Sequence, residues 1–302
     1  MRVRVLGSSA GGGFPQWNCG CANCHGQRFG SAHLQARTQE SLAISADDQN
    51  WILINASPDI HRQIESFPEL WPRGKRHSPI TGIVLTNGDM DHVLGLLSLR
   101  ESHPLTLYAT ASVRKGFTEG NSLYRTLERF PGQVVWKELE LGLEQQLGPG
   151  LRITSIPIPG KDSVHLEAMQ PRPTRAENNI GVLIREEGDK KSLGYFPAVA
   201  GPTADLRAVL ETAETVFFDG TFWSQAELVD AGLGEAMARD MAHWPVGGPD
   251  GSLAYLSEFP SSRRIFTHLN NSNPMLGEDS PEHAEISAAG LEVAYDGLDF
   301  TL

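Results

Sequence analysis

Cysteine is scarce in this chain: three residues in 302, all between positions 19 and 24. An odd number within six positions offers no long-range disulfide framework and fits a reducing compartment. Positive charge is short as well, with 25 lysines and arginines against 37 aspartates and glutamates, a formal net charge of -12. That balance argues against a protein whose main task is gripping nucleic acid or an anionic membrane. It leaves room for a locally basic pocket. No apolar run reaches the length of a membrane span, and the opening MRVRVLG is too short and too charged for a signal-peptide core. A cytoplasmic location is therefore expected. No Ser/Pro-rich linker or low-complexity tract divides the chain. Residues 1–302 are expected to form a single domain.

What the chain does have is a series of short apolar runs bounded by turn residues. Strands are predicted at Val3 to Leu6, Leu42 to Ser45, Trp51 to Ile54, Ile83 to Thr86 and Leu105 to Tyr108. A helical stretch over residues 112–130 follows, interrupted at Gly116 and Gly120. A second set of strands is predicted at Leu151 to Ile156, Ile180 to Ile184, Leu193 to Phe196, Thr215 to Asp219 and Arg264 to Thr267. Thr203 and Ser280 stand where helix caps are wanted, the latter before Pro281. The terminal GLEVAYDGLDFTL is expected to be a hairpin turning at Asp296-Gly297. Two packed sheets with helices outside, in the α/β (α+β) class, fit this order.

One stretch concentrates polar chemistry. TGIVLTNGDMDH, residues 81–92, begins as a β-branched strand and ends in Asn87, Asp89, Asp91 and His92. A leucine-rich helix is expected to follow at once. Carboxylates and an imidazole between a buried strand and a helix suit a metal site, because the strand fixes them and the loop leaves them open. A polar loop with His92 as a helix cap is the plainer alternative. Two later strands also end in candidate ligands, Asp219 after TVFF and His268 after RIFT. His243 lies in a Pro/Gly-rich loop, MAHWPVGGPDGS, that could close over a pocket. The Gly11–Gly13 run lacks a phosphate-loop pattern and is expected to let the backbone pass close to another element.

Cys19, Cys21 and Cys24 form CxCxxC, three thiolates able to converge on one ion, with zinc favoured by soft sulfur. A redox pair of Cys21 and Cys24 is the weaker reading, since no helix clearly starts there. A closed site needs a fourth ligand. His25 is one candidate, and a group from the far end of the chain is the other.

These pieces, in this order, resemble the metallo-β-lactamase superfamily. NGDMDH stands where that family has HxHxDH, FFDG where it has its bridging Asp, and IFTH where it has its last His. Within it the chain is similar to a family acting in biosynthesis of the redox cofactor pyrroloquinoline quinone (PQQ). The matching segments are LGSSAGGGFPQWNCGCANC, NASPDI, TNGDMDHVLGLLSLRE, HWPVGGPDGS and HLNNSNPML, so the resemblance spans essentially the whole chain. It implies an αββα sandwich of two mixed β-sheets with helices on the outer faces.

The departures from the hydrolase pattern matter more than the matches. Asn87, Asp89 and Lys161 occupy the positions of the three histidines that make the first metal site of two-metal hydrolases. The second site survives: Asp91, His92 and His268, together with the former bridge Asp219, are implied to hold the metal, with Asp89 as a further candidate ligand. Two histidines and carboxylate suit non-haem iron and O2 chemistry.

The resemblance accordingly implies an Fe(II)-dependent hydroxylase of the tyrosine ring in a Glu-Tyr intermediate cut from a precursor peptide. Lys161 would hold a substrate carboxylate and His243 would act as acid/base. A soluble carrier of PQQ or its precursor toward the periplasm is one alternative, and a zinc-dependent hydrolase another. A homodimer and contacts with other proteins of the pathway are further expectations. A phosphodiesterase branch carries zinc on a similar CxCxxC completed by a His, and the matching position here is Asn271.

Overall fold

The structure, a computed structural model, describes every residue except 102, 162, 164–174 and 189–190. Two sheets of seven strands each hold the chain. The first contains β1 (Arg2–Gly7), β2 (Ser41–Ser45), β3 (Trp51–Ile54), β4 (Ile80–Val84), β5 (Leu105–Ala109), β6 (Val134–Glu138) and the last strand, β14 (Asp299–Thr301). Its order is β14-β1-β2-β3-β4-β5-β6. The second contains β7 (Glu144–Gln146), β8 (Leu151–Pro157), β9 (Ile180–Glu186), β10 (Ser192–Phe196), β11 (Thr215–Asp219), β12 (Arg263–Thr267) and β13 (Glu292–Val293), in the order β13-β12-β11-β10-β9-β8-β7.

Both sheets are mixed. β1, β2 and β3 pair antiparallel, and β3 to β6 parallel. β8, β9 and β10 pair antiparallel, and β10 to β13 parallel. The predicted αββα sandwich is thus the observed one.

Side-chain alternation explains the layers. Val84, Phe217 and Ile265 point into the core shared by the two sheets. Their neighbours Ile83 and Leu85 turn to the helices outside the first sheet. Val216, Phe218 and Phe266 turn to those outside the second. Strands buried on both faces must be apolar throughout, which is why TVFF and RIF read as continuous runs. Burying each such Phe or Ile contributes about 1.5–3 kcal/mol. The polar residue ending each run is held by a rigid scaffold at the carboxyl end of a parallel strand, where open α/β sheets place their ligands.

Thr203 and Ser280 cap helices as expected, accepting from Leu206 N at 3.1 Å and His283 N at 3.0 Å. Three local expectations fail. The helix after His92 is a single α-turn, Met90–Val93, continued by 3-10 geometry over Leu94–Leu99. Gly95 there packs so close to the backbone that a Cβ would stand 2.1 Å from Ser57 O. The 112–130 stretch divides into a helix at Ala111–Glu119 and a 3-10 segment at Ser122–Glu128, broken at Gly120 but not at Gly116.

The terminal hairpin does not form. β13 joins β12, while β14 joins β1, so the chain crosses from one sheet to the other. Asp296 fastens that crossing. Its carboxylate accepts from Ser8 N at 3.0 Å, Ser8 Oγ at 2.8 Å, Thr38 N at 2.6 Å and Thr38 Oγ1 at 2.8 Å.

Candidate metal centre

Three strand ends meet over one pocket of about 450 Å³. The loop after β4 brings Asp91 and His92, β11 brings Asp219, and the residue after β12 brings His268. Ligand atoms of Asp91, His92 and His268 lie within 4.8 Å of one another, and so do those of Asp219, His243 and His268. The plain reading of His92 as a helix cap does not hold. Its ring is 1 % exposed and faces the cluster.

Both candidate ligand histidines have Nδ1 within hydrogen-bond distance of a threonine hydroxyl. His92 Nδ1 is 3.0 Å from Thr86 Oγ1, which in turn lies 3.1 Å from Asn55 Oδ1. His268 Nδ1 is 2.7 Å from Thr221 Oγ1, which donates to Asp219 Oδ1 at 2.6 Å. Thr221 Oγ1 donates onward to Asp219 and so accepts from His268 Nδ1, whereas His92 Nδ1 also faces the Asn55 amide, with Nδ2 at 2.9 Å, and is held by both groups. Nε2 of His268 lies 3.2 Å and Nε2 of His92 3.7 Å from Asp91 Oδ2, so both are on the side where a metal would bind. His268 holds this pose with φ at 59°, a left-handed backbone that costs about 1–3 kcal/mol and concentrates at functional sites.

His243 is placed by the same aspartate. Its Nδ1 lies 2.7 Å from Asp219 Oδ2, and its ring stacks on His268 with centroids 5.4 Å apart. Asp219 Oδ2 also accepts from Val199 N at 2.8 Å, and Oδ1 from Thr221 N at 2.9 Å. Lys161 lines the same pocket. So does Asp89, which nevertheless belongs to neither cluster of candidate ligands among the described residues. Asn87 braces the loop, accepting from Asp89 N at 2.9 Å. The glycine run serves close approach as expected. A Cβ on Gly11 would stand 3.3 Å from Asp91 Oδ2.

The electrostatics are those of a cation site. Burial alone would push Asp91 up, but His92 and His268 hold its carboxyl well below the usual range. Burial opposes charge on His268, yet Asp91, Asp219 and Glu40 outweigh it and lift the imidazolium to about 9. Burial depresses His92. Two imidazoles and a carboxylate that attract positive charge, with ligand atoms within 4.8 Å of one another, fit a divalent transition metal.

Several supporting groups were missed at the level of sequence. Glu40 is fully buried, 3.7 Å from His92 Nε2, and burial raises its pKa to about 8. Asn55 Nδ2 donates to it at 2.8 Å. A glutamate at the entry to a strand looks ordinary in sequence, and only its depth marks it. Asn270 also lines the pocket. Its Nδ2 donates to Ser272 Oγ, and Ser272 Oγ donates to the buried Glu227.

The cysteines converge as a second cluster, with Sγ atoms within 4.8 Å of one another. Asn271 closes it, with Nδ2 3.1 Å from Cys19 Sγ and 3.5 Å from Cys24 Sγ. His25 stands outside, exposed and packed at a tilt against Phe29, with ring centroids 4.4 Å apart. A helix does start at this motif, at Ala22–Arg28, contrary to expectation. It turns Cys24 inward to 0 % exposure, where burial pushes the thiol up to about 12. A buried thiol of that kind suits a structural site rather than a redox one.

Comparison with known proteins agrees with this geometry. Residues 50–269 match the model of the beta-lactamase superfamily domain. The chain is 43% identical over 304 residues to coenzyme PQQ synthesis protein B of Methylobacterium sp. (strain 4-46), covering 100% of both. The crystal structure of Zn2+-bound PqqB from Methylobacterium extorquens superposes with a TM-score of 0.94 at 41% identity, again over 100% of both chains. A diphosphatase of the PhnP family shares the fold at 21% identity and a TM-score of 0.65, covering 100% of this chain and 97% of that one. The chain therefore belongs to the coenzyme PQQ synthesis protein B family of the metallo-β-lactamase superfamily.

Proposed function

We propose that this protein acts in PQQ biosynthesis as an iron- and O2-dependent hydroxylase of the tyrosine ring in the Glu-Tyr intermediate. The relatives' names support the pathway. The observation that carries the chemistry is the asymmetry of the pocket. Asp91, His92 and His268 form one cluster, while Asn87, Asp89 and Lys161, which line the same pocket, belong to no cluster of candidate ligands among the described residues and by resemblance replace the histidines of a two-metal hydrolase.

Asp91, His92 and His268 would hold the ion, and the buried Glu40 carboxyl lies 3.7 Å from His92 Nε2, outside that cluster. Fe(II) held there would supply activation of O2, a chemistry suited to two imidazoles and carboxylate. The chain's own residues do the rest. Lys161 binds a substrate carboxylate as a point charge. His243 faces the pocket through Nε2, holding or taking the phenolic proton, while Asp219 fixes its tautomer at Nδ1. Phe222 packs edge-on against His243 at 5.9 Å and walls off water on that side. Hydroxylation replaces a ring C–H by C–OH. The second oxygen atom leaves as water, with two electrons and two protons drawn from an external reductant. Cys19, Cys21 and Cys24 would hold a structural zinc, and Asn271 Nδ2, donating to their sulfurs, would tie the N-terminal loop to the segment after β12.

Among the described residues no helix is long and apolar enough to cross a membrane. The test is anaerobic loading with Fe(II), then addition of the Glu-Tyr compound, a reductant and O2. Mass spectrometry should find a product one oxygen atom heavier, and His92→Ala or His268→Ala should abolish it with the fold intact. Tight PQQ binding that survives iron removal, without turnover, would favour the carrier instead. Robust hydrolysis of a generic phosphodiester by zinc-loaded protein would favour the hydrolase.

A further inference from the structure

A second cavity, a surface groove of about 800 Å³, shares no residue with the metal pocket. It is lined by Arg76 from the loop entering β4, by Arg100 and Glu101, and by Arg125, Arg129 and Phe130 at the end of the 122–128 segment. The other end of β4 carries the metal loop, so Arg76 enters from the opposite end of the strand.

Four guanidinium groups face this groove with one carboxylate among them. Glu101 Oε1 stands 3.9 Å from Arg100 Nη1, and both side chains are more than half exposed, so that pairing is loose. Among the described residues, Arg76, Arg125 and Arg129 have no carboxylate within ion-pair distance. Arg129 lies instead over the Phe130 ring at 5.5 Å. This is unusual for the chain, because acidic residues outnumber basic ones 37 to 25 and counter-charges are plentiful elsewhere. Arg76 also has φ at 54°, a left-handed backbone rarely adopted by arginine. Like charges gathered without internal counter-charge call for an anion from outside.

The chemistry narrows that anion. Planar guanidinium forks take carboxylates two hydrogen bonds at a time. Four of them, on three separate chain segments, exceed what a single small acid can span. A long polyanion such as nucleic acid would meet the repulsion of a body carrying -12 beyond the groove. A short acidic peptide confines its charge to the groove and can lay apolar side-chain stems on Phe130, which is 39% exposed. We infer that this arginine groove is a docking surface for an acidic peptide segment of a partner protein. It does not rest on the proposed chemistry of the metal pocket.

The test uses the intact, metal-loaded protein and a fluorescein-labelled octaglutamate peptide, read by fluorescence anisotropy. The wild type should bind saturably, with affinity falling as salt is raised. Arg125→Glu with Arg129→Glu should weaken binding by about tenfold or more, because attraction becomes repulsion. Arg125→Lys with Arg129→Lys should give a smaller loss, since charge stays and the fork is gone. Both double variants should retain the wild-type metal content. The inference is overturned if the charge-reversed protein binds like the wild type. It is overturned equally if citrate at matched carboxylate concentration displaces the peptide completely, or if a single-stranded oligonucleotide binds more tightly than the peptide.

Discussion

Asp219 Oδ2 lies 2.7 Å from His243 Nδ1, so the aspartate at the end of β11 orients a histidine from a loop more than twenty residues later. The same carboxylate accepts from Val199 N, Thr221 N and Thr221 Oγ1. A carboxylate has about four acceptor sites, and here each is taken by a protein donor. Asp219 is the expected bridging ligand of the superfamily. In this chain its geometry suits it better to positioning His243 and, through Thr221, His268.

Asp219→Asn should therefore cost stability as well as activity. An amide NH2 in place of either oxygen would confront backbone N–H donors at full burial. The expected loss is about 1–3 kcal/mol, the penalty for leaving such a group unsatisfied. His243→Ala should leave folding largely unchanged while lowering turnover by about 100-fold, a typical contribution of a positioned acid/base. Chemical denaturation of both variants beside turnover separates the two effects.

Thr86→Val and Thr221→Val test the grip on the ligand histidines. Thr221→Val removes the acceptor of the His268 Nδ1 proton, and Thr86→Val removes one hydrogen-bond partner of His92 Nδ1, both without touching Nε2. Metal affinity should fall by about 10–100-fold, the usual price of a lost supporting hydrogen bond at a metal site. Asp89→Ala should leave affinity nearly unchanged, because Asp89 stands outside both ligand clusters. Competition with a chelating dye measures all three.

Much of the site was legible in sequence because strand-end ligands leave a local mark. An apolar run stopped by Asp or His, as in TVFFD and RIFTH, states both the strand and the projection of the last residue. The supporting shell leaves no such mark. Thr86 and Thr221 read as β-formers, Asn55 as a turn residue and Glu40 as a surface charge. Their roles depend on contacts between distant segments. The failed terminal hairpin has the same origin. Asp296-Gly297 does turn the chain, but Ser8 and Thr38 decide where the next strand goes, and neither is near it in sequence.

Glu227 gives a pH dependence of stability with a definite sign. Burial raises its folded pKa to about 7 from an ordinary 4.5, against the opposing hydrogen bond from Ser272. The folded state thus holds this proton more tightly than the unfolded one. The contribution is fully present below about pH 4.5 and is lost as pH rises through about 7, up to about 3 kcal/mol in all. Glu227→Gln should lack this decline, so its stability relative to wild type should rise between about pH 5 and pH 8. Urea denaturation across that range measures it.

The cysteine cluster should carry zinc independently of the pocket. Cys24→Ser should release one zinc and lower the melting temperature, since a structural zinc contributes directly to folding. Iron content of the pocket should stay at the wild-type level. Elemental analysis with X-ray absorption at the zinc edge distinguishes sulfur-bound zinc from metal held by Asp and His.

The most direct measurement is oxygen consumption by Fe(II)-loaded protein given the Glu-Tyr compound and a reductant, with the product identified by mass spectrometry. The expected result is O2 uptake matched to a product one oxygen atom heavier, abolished in His92→Ala and His268→Ala. No uptake and no heavier product from protein with a filled iron site would contradict the hydroxylase assignment.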